Sequence, residues 1–255
     1  MAHWITFTYK NHKNIGILDN DTIKVYSGDM FNQPTATGEK LSIDDVTLLN
    51  PCNPSKIIAL WNNYKTLADE KGLSKPKNPL YLNKAISCIS EPSEDIIRPK
   101  SYNEAIFYEG ELGIVIGKLC KDIESDKSKD YIFGFTCIND VTGMDIVKKD
   151  PSFDQWTRSK SFDTFGIYGP GIETDINPLN LQIKSKLNGK TVQNYNSSDM
   201  FFNVYEIVSF LSKDMSLLPG DVIACGTNAG LGPMESGDEI EVSIENIGKV
   251  TNKLS

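Results

Sequence analysis

Apolar positions alternate with polar ones over much of this chain, a period of two that predicts strands more than helices. Residues 4–9, 14–18 and 22–26 are short strand candidates, with Leu18-Asp19-Asn20-Asp21 as a turn between the last two. The polar stretch 29–40 reads as a loop, and Cys52-Asn53-Pro54-Ser55 as a linker into a larger unit. Further strands are predicted at residues 56–61, 106–116, 131–138, 181–187, 221–225 and 238–245. Helices are few. Residues 64–71 form a short one stopped by Gly72, and 202–213 a longer one opened by Asn203, with Val204, Ile207, Val208 and Leu211 on one face.

Strands therefore outnumber helices, and no regular strand–helix alternation appears, which argues against a doubly wound sheet or a TIM barrel. The expected class is α+β and β-rich, with residues 1–52 as a small N-terminal β domain and 53–255 as the larger one. No repeat or low-complexity tract interrupts the 255 residues.

Composition narrows the function classes. A 39% hydrophobic content is enough for a substantial core. The net charge is -8 and no Lys/Arg cluster stands out, so nucleic acid is not an expected partner. No run of 18 apolar residues and no apolar N-terminal core occur, so neither a membrane span nor a signal peptide is expected. The five cysteines form no CxxC pair and read as reduced thiols, in keeping with a cytoplasmic protein.

Candidate chemistry begins in the stretch 106–116. On a strand Ile106, Tyr108, Leu112, Ile114 and Ile116 point one way, and Glu109 and Glu111 point the other, side by side. Alternating glutamates are also common on a wet sheet face. Asp140 shifts the balance, because the apolar run 131–138 ends in Asn139-Asp140 and puts a third carboxylate at a strand end. Three oxygen ligands from two strands suit Mg²⁺, Mn²⁺ or Ca²⁺ and not zinc. Lys160-Ser161-Phe162-Asp163 brackets an aromatic with opposite charges; it is either a surface turn or a lysine that neutralises a substrate oxyanion. The strand 222–225 runs into the Gly-rich Gly226-Thr227-Asn228-Ala229-Gly230, which lacks a P-loop lysine. Thr227 could bind an oxygen anion there, and a plain tight turn is the competing reading. The only two histidines, His3 and His12, lie far upstream.

Five ordered motifs resemble the fumarylacetoacetate hydrolase family: Tyr108-Glu109-Gly110-Glu111-Leu112, Asn139-Asp140-Val141, Lys160-Ser161-Phe162-Asp163, Ser198-Asp199-Met200 and Pro219-Gly220-Asp221-Val222 through Gly226-Thr227. The resemblance covers roughly residues 53–255. It implies a mixed β-sandwich or roll with a few flanking helices, and a homodimer. It also implies a divalent cation on Glu109, Glu111 and Asp140, an active-site lysine at Lys160, and a carboxylate-binding threonine at Thr227. The implied substrates are small-molecule oxo acids, and the implied reactions are C–C hydrolysis of acylpyruvates, decarboxylation or keto–enol isomerisation. All three stabilise negative charge on an enolate oxygen.

Departures from the family pattern are equally informative. After Asn63-Tyr64, the position of a water-activating histidine holds Leu67, while its glutamate partner remains as Glu70. Positions where many members grip substrate with arginine and glutamine hold Met144 and Val147. The metal ligands should therefore work, with a less polar substrate surround. C–C hydrolysis of a 1,3-dicarbonyl acid is the first expectation, with Glu70 as the base if burial beside Leu67 raises its pKa. Decarboxylation or isomerisation comes second, and a non-catalytic member that only binds metal and oxo acid is the rival from another class.

Overall fold

The computed structural model describes residues 2–255. The N-terminal alternation becomes an antiparallel run of β1 (His3–Tyr9), β2 (His12–Asp19), β3 (Thr22–Asp29) and β4 (Asn32–Ser42). The β1–β2 hairpin turns through Lys10 and Asn11, both at positive φ, the two-residue geometry that suits the twist of paired strands. β4 corrects the loop expected over residues 29–40. It is an exposed edge strand held by its ladder to β3, with two register shifts, so it has no buried face to impose an apolar period.

β1 also pairs antiparallel with Gly166–Glu173, so the N-terminal strands extend the sheet of the larger part instead of forming a separate one. From there the sheet runs through Ile132–Asp140, Gly110–Ile116, Val222–Ala224, Ile57–Trp61 and Leu80–Lys84. The Val222–Ala224 and Ile57–Trp61 strands are parallel, which makes the sheet mixed. A four-stranded sheet (Lys190–Asn196, Gln182–Leu187, Glu239–Ile244, Gly248–Lys253) and a three-stranded one (Thr142–Gly143, Ile106–Tyr108, Gly232–Met234) complete the β structure. This is a β-rich α+β fold. Of the strands at the centre of the main sheet, only Gly166–Glu173 has no counterpart among the sequence-predicted elements; its residues are buried nearly throughout, so no alternation marks it.

One face of the main sheet carries Ile58, Leu60, Leu112 and Ile114 into the largest core. That core also takes Ile183, Ile240 and Val242 of the four-stranded sheet. The predicted long helix, α3 (Val204–Asp214), packs there through Val204, Ile207, Val208 and Leu211. Asn203 caps it as expected: its side chain accepts from Tyr205 and Glu206 backbone N–H at 2.9 and 3.1 Å, and Glu206 accepts from the Asn203 N–H at 2.8 Å. The opposite face carries Ile57, Ala59, Val115, Ile138, Tyr168 and Val222 into a second core, with Trp4 and Phe133 covering it. The sheet curls on this second side until Lys84, at the end of the Leu80–Lys84 strand, donates to the Phe165 carbonyl at 2.9 Å. Four strands separate those two positions in sheet order. Among the described residues no helix is long and apolar enough to cross a membrane.

Candidate active site

The predicted 106–116 strand is two strands, and Glu109 sits at the break between Ile106–Tyr108 and Gly110–Ile116. The Glu109 carbonyl still accepts the Asp140 N–H at 2.9 Å, but side chains take the backbone N–H groups at that point. The Glu109 N–H donates to Asn139 Oδ1 at 3.1 Å, and the Gly110 N–H to Gln193 Oε1 at 3.0 Å. Gly110 is a close approach, since a Cβ there would lie 2.3 Å from the Ser185 hydroxyl. The chain can thus change sheets while holding both glutamates inward.

Cross-strand register supplies the third carboxylate. Glu111 lies opposite Ile138, and Asp140, two residues further on, shares its sheet face. Ligand oxygens of Glu109, Glu111 and Asp140 all fall within 4.8 Å of one another, and all three residues are buried. Glu111 Oε2 accepts the Gly226 N–H at 2.6 Å, delivered by a turn in which Gly226 has φ +90°, while the buried Glu111 Oε1 has no hydrogen-bond partner. A buried carboxylate oxygen left unpaired, in an all-oxygen donor set, is the environment a hard divalent cation satisfies. The three residues fit such an ion.

Two lysines face this cluster. Lys160, the last residue of α2 (Trp156–Lys160), is buried and donates to Asp140 Oδ2 at 2.5 Å, Glu109 Oε2 at 2.9 Å and Thr142 Oγ1 at 2.8 Å. The bland reading of Lys160 as part of a surface turn is excluded. Lys84 pairs with the other Asp140 oxygen. α2 is tied to the Leu80–Lys84 strand by a bond from Thr157 Oγ1 to the Asn83 carbonyl at 3.0 Å and another from the Ala85 N–H to Ser161 Oγ at 2.9 Å. Lys84, Thr142 and Gln193 escaped the sequence reading. A signal for Lys84 existed: Leu80-Tyr81-Leu82-Asn83-Lys84 is a strand-like run, and the lysine falls on the phase of buried Leu82.

Electrostatics follow from this enclosure. Burial pushes the Glu109 carboxyl above the usual range, although Lys160 opposes the shift. Burial and then the Asp140 charge push Glu111 well above it. Burial acts on Asp140 in the same sense, yet Lys160 and Lys84 together hold its carboxyl below the ordinary value. Lys160 keeps its proton: burial favours losing it, and Asp140, Glu109 and Glu111 outweigh that.

A cleft with about 480 Å³ of free space, part of it open to solvent, leads to Glu109, Lys160 and Thr227. Its walls are mostly apolar: Leu60, Trp61, Leu67, Leu73, Met144, Trp156 and Leu231. The Trp61 and Trp156 rings lie 5.6 Å apart, tilted by 50°. Met144 lines the cleft as its sequence position suggested, whereas Val147 is buried in the interior and does not line it. Thr227 is at the floor, with its hydroxyl proton already used on the Gly110 carbonyl at 2.9 Å and its oxygen accepting from Gln193 at 2.9 Å. Contact with a substrate carboxylate through this hydroxyl would require exchanging the Gly110 bond. Glu70 is on the solvent side of α1 (Lys65–Glu70), exposed, and is not part of the cleft wall; its neighbours Leu67 and Lys71 are. The burial beside Leu67 that would have tuned it as a base is not found.

With fold and site described, the chain can be placed among known proteins. Residues 56–255 match the family described as Fumarylacetoacetate (FAA) hydrolase C-terminal, and residues 2–51 match Rv2993c-like, N-terminal. The chain belongs to the fumarylacetoacetate hydrolase family. An uncharacterized protein of Methanocaldococcus jannaschii is 44% identical over 213 residues, covering 84% of this chain and 88% of that one. The mitochondrial oxaloacetate tautomerase fahd2 of Xenopus laevis is 36% identical over 225 residues, covering 84% of this chain and 70% of that protein. The crystal structure of 2-hydroxyhepta-2,4-diene-1,7-dioate isomerase from Mycobacterium marinum superposes with a TM-score of 0.90 at 34% identity, covering 100% of this chain and 98% of that one.

Proposed function

We propose that this protein is a divalent-cation-dependent isomerase of small 2-oxo acids, interconverting their keto and enol forms. The observation that carries the reading is the chemistry of the cleft wall. Around the carboxylate cluster it offers Glu109, Lys160 and Lys71 as its ionisable groups, and otherwise apolar side chains, Asn62 and Thr227. C–C hydrolysis needs a base to activate water. Leu67 cannot serve, and the exposed position of Glu70 weighs against the preference for hydrolysis that the sequence alone suggested. Isomerisation needs no activated water: the proton that leaves the carbon beside the 2-oxo group exchanges with solvent at the open part of the cleft. The Xenopus and Mycobacterium marinum relatives, named as a tautomerase and an isomerase, support this choice.

Glu109, Glu111 and Asp140 would hold the cation, which supplies Lewis acidity toward the 2-oxo and carboxylate oxygens of the substrate. Lys160 holds a protonated ammonium against the same cluster and stabilises negative charge on the substrate oxygen as it forms. Leu67, Met144 and the two tryptophans make the wall beside the reacting groups apolar, which strengthens those interactions.

The test has two stages. Mg²⁺ or Mn²⁺, then metal plus oxalate as an enolate mimic, should raise the melting temperature stepwise by mass action. Enol decay of a 2-oxo acid followed by absorbance, with products identified by NMR, should then show metal-dependent acceleration and no cleaved or decarboxylated product. Accumulating cleavage products would replace the isomerase with a hydrolase or decarboxylase. Metal and oxalate binding with no turnover of any oxo acid would leave a binding protein.

A further inference from the structure

We infer that Trp61 and Trp156 form an aromatic platform that selects 2-oxo acids bearing a flat apolar group, an aryl ring above all, beside the oxo carbon. This rests on the proposed oxo-acid function and deepens it by naming a ligand class and the residues that choose it.

The helix α2 sets the distance of this platform from the carboxylate cluster. Trp156 and Lys160 are its first and last residues, four positions apart. Residues so spaced lie one above the other on a helix face, with Cβ atoms about 5–6 Å apart. Both side chains line the cleft, and Lys160 reaches Glu109 and Asp140 at its inner end. The Trp156 ring therefore stands one helical turn from the groups that would take the oxo oxygen. Trp61 ends the Ile57–Trp61 strand, and its ring lies 5.6 Å from that of Trp156, tilted by 50°. A ring inserted between them would need about 7 Å, one van der Waals contact on each side. The two indoles thus act as one surface, half-buried and facing the cleft.

The surroundings favour an apolar occupant. Leu67, Leu73, Met144 and Leu231 continue the wall, and Lys71, the other cation of the cleft besides Lys160, is exposed. An anionic tail lying against the indoles would lose hydration and gain no partner from them. A ring in the same place removes apolar surface from water and gains an edge or offset-stacked contact. In an arylpyruvic acid a single carbon separates the oxo carbon from the ring, which suits a platform one turn from Lys160. The enol of such an acid is conjugated with its ring and flat, the shape a planar indole surface accepts.

The test is isothermal titration of the Mg²⁺-loaded protein with oxalate, 2-oxobutanoate, 2-oxoglutarate and phenylpyruvate, with the indole N–H resonances of Trp61 and Trp156 followed by NMR. Phenylpyruvate should bind about tenfold or more tightly than either aliphatic oxo acid. It should also move both indole resonances, which oxalate is too short to reach. Trp61→Leu and Trp156→Leu should each lower the preference for phenylpyruvate over 2-oxobutanoate about threefold or more, and Trp156→Phe should keep it. Oxalate binding checks that each variant still forms the site, and the ligand series on the unaltered protein decides without any variant. If oxalate binds but phenylpyruvate gains nothing over 2-oxobutanoate, or if 2-oxoglutarate binds best, the platform is refuted and the oxo-acid reading stands. A preference undiminished in both leucine variants refutes the role of the two rings. If oxalate itself fails to bind, the oxo-acid reading falls and the platform falls with it.

Discussion

Replacing Lys84 by methionine isolates the contribution of a group that balances the carboxylate cluster without lining the cleft. The substitution keeps length and removes the charge. Asp140 then loses one of its two ammonium partners inside a fully buried site, and the Phe165 carbonyl loses a 2.9 Å donor. Breaking a buried ion pair by removing one partner costs about 3–5 kcal/mol. Because Lys160 still pairs with Asp140, the lower end applies, about 3 kcal/mol. For a chain of this size about 1 kcal/mol moves the melting temperature by roughly 2–4 °C, so a fall of roughly 6–12 °C is expected without metal. A bound divalent cation supplies the missing positive charge, so Mg²⁺ or Mn²⁺ should recover more melting temperature in the variant than in the wild type. Differential scanning calorimetry with and without metal, after chelation, gives both numbers. A metal-free variant melting within 2 °C of wild type, or a metal increment no larger than the wild type's, would refute the view that lysines and cation are alternative partners of the same carboxylates.

Other outcomes follow from the same geometry. Glu111 holds a proton in the folded state that the unfolded chain releases near its ordinary value of 4.5, so it contributes stability below that pH that is lost as pH rises toward the raised folded value. Melting curves of metal-free protein should fall with pH across that interval more steeply for wild type than for Glu111→Gln, and equal slopes would contradict the shift. Gln193→Leu strands the Gly110 N–H, the Ser185 hydroxyl and the Asn228 carbonyl, at about 1–3 kcal/mol each. Urea unfolding should show at least about 3 kcal/mol lost, and metal titration a weaker site, because Gly110 separates Glu109 from Glu111. Asn203→Ala removes the α3 cap for about 1 kcal/mol and should leave metal affinity unchanged; a weakened metal site would mean the helix supports the cluster.

Much of the site was legible in the residue pattern because its local rules are strong. Glu109 and Glu111 share a side by strand periodicity, Asp140 ends an apolar run, and Asn203 opens the long helix as a cap, each within a few residues of chain. The same period identified most strands with one buried and one wetter face, such as Glu239–Ile244. It missed β4, whose faces are both wet, and Gly166–Glu173, whose faces are both dry, because a sheet edge and a sheet centre impose no alternation.

Tertiary structure alone decided which charges meet. Lys84 lies 56 residues from Asp140 in sequence, and the curl of the sheet, closed by α2, brings them together. The family resemblance suggested that Glu70 was a catalytic group, yet α1 turns it to solvent and gives its neighbours Leu67 and Lys71 to the cleft. Periodicity says which side of its own element a residue occupies. What lies opposite that side is set by the packing of elements distant in sequence, and there the balance of burial and charge is struck that gives each carboxylate its chemistry.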